Sequence, residues 1–388
     1  MINLFDSNEL QNRASAFGRK LTERKIDCAL LTSNQDLFYF TGSVQKGAVI
    51  INKSGEISYF VRKNSARAEL ETSLPVKEWN LDEISKITNG VWSMPYDVTS
   101  VSEHLFYKNK FSKDEAVDCS VPLALTKTLK SPQEIGLIKK AGIINLKVME
   151  FAKTVYQPGI RDIDIQAEIE LYAKKELEHQ GLFWIRGSGM EAASMSLVVT
   201  GTDALEPTYT DFPIGGTGLS PAVAQGASRK IVFNNFVIDL IGCCFGYCAD
   251  STRTFFVQEP DIRIKKIYVE LNDLMKNITD RIKPGTTGDE IYSFAMNLVE
   301  KYSWKDLFMG YKQKVRFIGH GIGTEVNQLP VIAPKQKTPF ENSMVIAIEP
   351  KIFVPDYGIV GIENTYVLEN NGLYSITGNC DNIKDWII

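Results

Sequence analysis

Four acidic residues and one histidine sit where such side chains are normally disfavoured, inside or at the end of apolar runs. Asp239 lies in Val237-Ile-Asp239-Leu-Ile, and Asp250 follows eleven residues later in Tyr247-Cys-Ala-Asp250-Ser-Thr-Arg-Thr-Phe. A turn at Gly242 to Gly246 folds this stretch into a hairpin and brings the two carboxylates close. Glu349 ends Met344-Val-Ile-Ala-Ile-Glu349, and Glu363 sits in Gly361-Ile-Glu363-Asn-Thr-Tyr-Val. His320 is flanked by glycines in Phe317-Ile-Gly-His320-Gly-Ile-Gly323, which lets the backbone approach a neighbour closely. Neighbouring buried carboxylates repel and turn neutral unless a cation lies between them. One acid at a strand end is ordinarily solvent-facing or paired with Lys or Arg. Four such acids and an imidazole suit a pair of divalent ions such as Mn, Co, Fe or Zn, which bridging carboxylates hold roughly 3.5–4 Å apart. Spacing alone leaves the metal reading and the bland one level.

The elements that must position these residues are strands at 231–240, 245–257, 343–353 and 359–368. Helices precede them. Ser131-Pro132-Gln133-Glu134 is a capping box with proline at the first helical position. It opens an amphipathic helix with apolar Ile135, Ile138, Ala141 and Ile144. That helix ends at Tyr156-Gln-Pro158-Gly159, and another starts near Asp162. The same arrangement recurs about 126 residues later, with Ile282-Lys-Pro284-Gly285 and a helix from Thr287 or Asp289, which suggests a duplicated half-domain. Upstream, residues 1–125 alternate short strands (28–32, 48–52, 57–61) with helices such as 64–72, and hold no cluster of candidate ligands. The junction falls at about 122–131, so the expectation is two domains, 1–125 and 132–388, in a mixed α/β (α+β) chain.

The remaining composition narrows the function classes. The 388 residues are too many for one ordinary core. The net charge of −4 gives no general attraction to nucleic acid or anionic membrane. No stretch reads as a signal peptide or a spanning helix, so a cytoplasmic location is expected. Of six cysteines, Cys243, Cys244 and Cys248 look like half of a zinc site, but no second Cys/His cluster completes it. The glycine pattern fits neither a P-loop nor a dinucleotide fingerprint. The Gly- and Thr-rich stretches at 187–190, 200–202 and 208–218 read as a binding loop or as an ordinary crossover. Only three histidines exist: His104, His179 and His320. His179 reads as a solvated residue at a helix end.

Together these residues resemble the pita-bread metallopeptidases: methionine aminopeptidase, aminopeptidase P, prolidase and the related non-peptidase creatinase. The resemblance covers nearly the whole chain, with Asp36-Leu-Phe-Tyr-Phe-Thr-Gly42 where the creatinase-type N-terminal domain has its equivalent. It implies a creatinase-like first domain and a duplicated α+β catalytic domain. It also implies two divalent ions, manganese among them, with Asp239 on one ion, Asp250 and Glu363 bridging, and His320 and Glu349 on the other. A bridging water is then the nucleophile and Glu349 the proton acceptor. A homodimer acting on a peptide or small amide follows from the same likeness.

Three positions depart from that family. Gln225 stands where a histidine usually precedes the first metal aspartate, and Asn327 where a second usually follows the metal histidine. Gly361 stands where an arginine often lies two residues before the last glutamate. Gln225 and Asn327 can still donate N–H bonds to an oxyanion but cannot titrate near neutrality as histidine does. Three functions therefore stay open: an Xaa-Pro aminopeptidase or dipeptidase, a creatinase-like hydrolase or lyase acting on a small C–N compound, and a metal-retaining binding protein.

Overall fold

The computed structural model describes residues 3–111, 116–179, 183–186, 190–192, 195–208, 212–218, 220, 226, 231 and 234–388. The chain divides into two units, Met1–Thr128 with Trp184–Met190, and Leu129–Phe183 with Glu191–Ile388.

The first unit runs α1 (Ser7–Glu23), β1 (Cys28–Leu31), α2 (Asn34–Thr41), β2 (Gly47–Asn52), β3 (Ile57–Val61), α3 (Ser65–Glu71), β4 (Val76–Glu78), α4 (Leu81–Ile87), β5 (Trp92–Met94), α5 (Val101–Phe111), β6 (Val117–Asp118) and α6 (Ser120–Thr126). Its sheet has the order β4-β3-β2-β1-β5-β6. Asp6 caps α1 by accepting from the Glu9 amide, and the buried stripe of Leu10, Ala14, Phe17 and Leu21 follows helical spacing. Gly18 lets α1 lie on the β2–β3 turn, because a Cβ there falls 2.7 Å from the Gly55 nitrogen. In the 36–42 segment, Gly42 ends α2 at φ 75°. Asp36 is fully buried and ion-paired with Lys127 at 2.8 Å and Arg186 at 2.9 Å. Burial works to raise its pKa, but the two cations hold it well below the usual carboxylate range.

The second unit begins with α7 (Pro132–Val155) and α8 (Asp162–Leu177); the short strands that follow in the chain, β7 (Phe183–Ile185) and β8 (Met190–Ala192), pair with each other and flank the Trp184–Met190 segment counted with the first unit. Next come β9 (Ser196–Thr200), β10 (Asn235–Cys244) and β11 (Tyr247–Phe256), which form a three-stranded antiparallel sheet in the order β11-β10-β9. The pattern then repeats: helices α9 (Ile262–Arg281) and α10 (Gly288–Lys301), then β12 (Gly319–Gly321), β13 (Gln328–Ile332), β14 (Val345–Ile348), β15 (Lys351–Val354), β16 (Gly358–Gly361), β17 (Asn364–Glu369) and β18 (Gly372–Ser375). The larger sheet has the order β13-β12-β14-β17-β18, with β15 and β16 paired beside it. A continuous apolar core joins both repeats, from Val148 and Ile165 through Phe236 and Phe255 to Leu271, Ile291, Ile346 and Leu368.

Capping explains the helix starts. Ser131 and Glu134 close a reciprocal box at α7, and Thr287 and Glu290 do the same at α10. Three expectations need correction. The β10–β11 turn is Phe245-Gly246, not Gly242 to Gly246; both residues have positive φ, 48° and 79°, as a two-residue hairpin turn requires. Gly242 lies within β10, where α7 crosses so closely that a Cβ meets the Asn145 Oδ1 at 2.3 Å. The buried face of α7 is also rotated from the predicted one: Leu137, Ile138, Ala141, Asn145 and Val148 point inward, while Ile135 and Ile144 flank it. Finally, the strands predicted at 343–353 and 359–368 are each broken in two. Pro350 lacks the N–H that would continue the first ladder, and Glu363 turns its own N–H to the Thr252 carbonyl at 3.1 Å.

Candidate metal centre

Those two breaks matter because Glu349 and Glu363 sit in them. In the β10–β11 ladder Asp239 lies opposite Thr252 and Asp250 opposite Ile241. The four therefore share one face of the hairpin, with the aspartates diagonal to each other. His320 is the central residue of β12, between Val331 of β13 and Ala347 of β14. Its flanking glycines admit those neighbours: a Cβ on Gly319 falls 2.4 Å from the Ala347 oxygen, and one on Gly321 2.2 Å from the Leu329 oxygen.

The fold brings all five residues together. Ligand atoms of Asp250, His320 and Glu363 lie within 4.8 Å of one another, and all three residues are buried. His320 Nε2 is 3.4 Å from Glu349 Oε1. Asp239 joins the group through Lys351, whose Nζ is 2.7 Å from Glu349 Oε2, 3.6 Å from Glu363 Oε2 and 3.7 Å from Asp239 Oδ2. Thr252 donates to Glu363 Oε2 at 2.7 Å. Asp250 Oδ1 and Glu363 Oε1 are buried with no hydrogen-bond partner. Orphaned carboxylate oxygens of this kind are costly without a cation. His320 Nδ1 lies 3.1 Å from the Gly321 carbonyl, so a proton there leaves the Nε2 lone pair facing a carboxylate oxygen. With Asp250, His320 and Glu363 converging and two carboxylate oxygens orphaned, the residues present fit divalent metal.

Electrostatics follow from that crowding. Burial, then Glu363, Asp239 and Glu349, push Asp250 far above the ordinary carboxylate value. Burial raises Glu363 to about 8 despite Lys351 nearby, and burial also raises Asp239. Glu349 is the exception: burial works upward, but Lys351 and His320 take it below its usual value.

Several supports were not singled out from the sequence. Asn145 is buried on α7 and donates to the Leu240 carbonyl at 3.2 Å and the Ala249 carbonyl at 3.0 Å, gripping both aspartate strands. The Thr365 hydroxyl accepts from the Asp250 amide and donates to the Asp250 carbonyl, each at 2.8 Å. Arg253 donates to the Glu363 carbonyl at 2.5 Å and to Asn364 Oδ1 at 2.7 Å, with Trp386 beneath it. Lys351 had a readable signal, since two residues after Glu349 in an extended chain places it on the same face. It lies directly across the β15–β16 ladder from Gly361.

The other expected residues fare differently. Asn327 is exposed, in the bend between β12 and β13. Gln225 lies outside the described residues, as do 187–189 and 209–211 of the Gly- and Thr-rich stretches. His179 is not solvated: it is 3% exposed, and its Nε2 accepts from the Cys243 amide at 2.9 Å. Cys243 and Cys248 face each other across the β10–β11 hairpin, and every cysteine is unbridged.

A duplicated α+β unit carrying buried carboxylates and one histidine defines a pita-bread metallohydrolase. The sequence comparison agrees: residues 136–370 match the model of metallopeptidase family M24, and residues 13–125 that of the creatinase/prolidase N-terminal domain. The chain belongs to metallopeptidase family M24. It is 25% identical to the Xaa-Pro dipeptidase of Pyrococcus horikoshii, over 92% of this chain and 94% of that one. It is 26% identical to the uncharacterized peptidase YqhT of Bacillus subtilis, over 91% of this chain and 94% of that one. The fold matches the crystal structure of the prolidase from Pyrococcus horikoshii with a TM-score of 0.79 and 23% identity, over 96% of this chain and 99% of that one. No helix among the described residues is long and apolar enough to cross a membrane.

Proposed function

We propose that the protein hydrolyses the bond before proline in short peptides, with Asp239, Asp250, His320, Glu349 and Glu363 holding two divalent ions. The observation that carries this is the meeting of His320 with the unpartnered oxygens of Asp250 and Glu363 in a buried centre. The Xaa-Pro dipeptidase relative supplies the substrate class. Divalent ions held there supply Lewis acidity, acidifying a water and polarising a carbonyl. The chain's own residues do the rest. Glu349, kept ionised by Lys351 and His320, accepts a proton at a carboxylate oxygen. Asn327 and Gln225 donate N–H bonds to the developing oxyanion. A homodimer is part of this reading, and light scattering checks it.

The test is turnover with Mn, Co and Zn in parallel on Xaa-Pro dipeptides and longer Xaa-Pro peptides, with products read by mass spectrometry. Cleavage before proline that disappears in Asp250→Asn supports the peptidase. Full metal occupancy without cleavage favours the second reading, hydrolysis of a small amide or amidine. One observation supports that alternative: no histidine besides His320 serves the centre, because His104 stacks on Trp92 in the first unit and His179 binds a backbone amide.

A further inference from the structure

We infer that Lys351 is a built-in cation of the metal centre, a positioning residue that holds Asp239, Glu349 and Glu363 convergent, with Gly361 left bare to admit it. This deepens the metallohydrolase reading and rests on it. Lys351 is fully buried, and its Nζ lies within 3.7 Å of an oxygen from each of those three acids. A buried ammonium is tolerated only when paired and hydrogen-bonded, and here the partners are candidate metal ligands. The four acids crowd one small volume, and among the described residues Lys351 is the lysine or arginine whose charge lies within 4 Å of three of them.

The second observation comes from the neighbouring strand. Lys351 and Gly361 are opposite one another in the β15–β16 ladder, and a Cβ built on Gly361 falls 2.8 Å from the Lys351 Cγ. Gly361 has no positive φ to explain it, so its need for glycine is this contact. The two positions therefore compete for one space facing the same carboxylates. A cation can enter from either strand, but not from both.

The experiment compares wild type, Lys351→Met, Gly361→Arg and the double variant Lys351→Ala/Gly361→Arg. Two readouts are used, neither of them turnover: urea unfolding of the metal-free protein, and Mn²⁺ binding by calorimetry. Lys351→Met is expected to lower the unfolding midpoint and weaken Mn²⁺ binding roughly 10–100-fold, the usual effect of losing a group that orients metal ligands. Gly361→Arg loses stability through the clash. The double variant, with one cation again and room for it, recovers most of both losses. Mn²⁺ binding to Lys351→Met as tight as, or tighter than, wild type overturns the inference, because that is the sign simple charge repulsion gives. A double variant no better than the worse single variant overturns it too. If Lys351→Met does not fold, the double variant decides alone: folded and Mn²⁺-binding supports the inference, unfolded refutes it. Failure to cleave Xaa-Pro peptides leaves these outcomes untouched, so the two proposals fail separately.

Discussion

His179 should make stability depend on pH in a way that one substitution reverses. Burial holds its pKa at about 4, against an ordinary 6.5, because a charged imidazolium cannot be solvated there. Its Nε2 also needs its lone pair to accept from the Cys243 amide. The unfolded chain therefore takes up a proton between those two values while the folded chain does not. This contribution is fully present above about pH 6.5 and is lost as pH falls toward 4. Between pH 7.5 and 5 the loss is about 2 kcal/mol, given 1.36 kcal/mol for each unit of pKa difference. In His179→Gln the amide oxygen still accepts from Cys243 but nothing titrates. At pH 7.5 the variant should be less stable by about 1 kcal/mol, the worth of an imperfectly replaced hydrogen bond. At pH 5 it should be more stable than wild type by about the same amount. Urea unfolding of metal-free protein at both pH values measures this, and subtracting variant from wild type cancels the carboxylates of the metal centre. The same offset at both pH values would refute the reasoning.

Asp250→Asn should abolish metal loading, measured as metal per chain by elemental analysis; two ions retained would remove the ligand assignment. Asn145→Ala should destabilise the fold by roughly 1–3 kcal/mol, since the Leu240 and Ala249 carbonyls lose their shared donor, and denaturant unfolding reads the loss. Gly242→Ala should lower the thermal midpoint, because its Cβ meets the backbone oxygen of Ala141 at 2.5 Å and α7 must move away. Asn327→Ala should lower kcat on an Xaa-Pro dipeptide with little change in stability, as expected of an exposed oxyanion donor, whereas His104→Ala should leave activity within a few-fold.

Much of the fold was legible because its signals are local. The α7 and α10 capping boxes, the Pro-Gly stops and the apolar strands all announce themselves within a few residues. The four acids of the candidate centre drew notice for another reason: an acid in an apolar run is a conflict that only a partner resolves. What stayed hidden depends on pairing across the chain. Asn145 reads as an ordinary polar helix residue until β10 and β11 are laid against it. Lys351 shares a face with Glu349 by spacing, but the bare Gly361 that leaves room for it shows only once the strands are paired. His179 follows the last turn of α8 with charged neighbours, and nothing local says that β10 will bury it. The broken strands belong to the same class, since Pro350 marks one break, while the other is set by Glu363 bonding to β11.

The candidate centre draws its residues from both repeats: Asp239 and Asp250 from the first, His320, Glu349 and Glu363 from the second. An ion held by both sets acts as a clasp between the two copies. At a free concentration a hundred times its Kd, each such ion adds about 2.7 kcal/mol to folding stability, a sizeable share of what a domain possesses. Metal supply then governs how long the molecule lasts as well as what it can do. Chains made during metal scarcity keep the apolar core that joins the two repeats but lack this increment, so they are expected to be lost sooner to proteolysis.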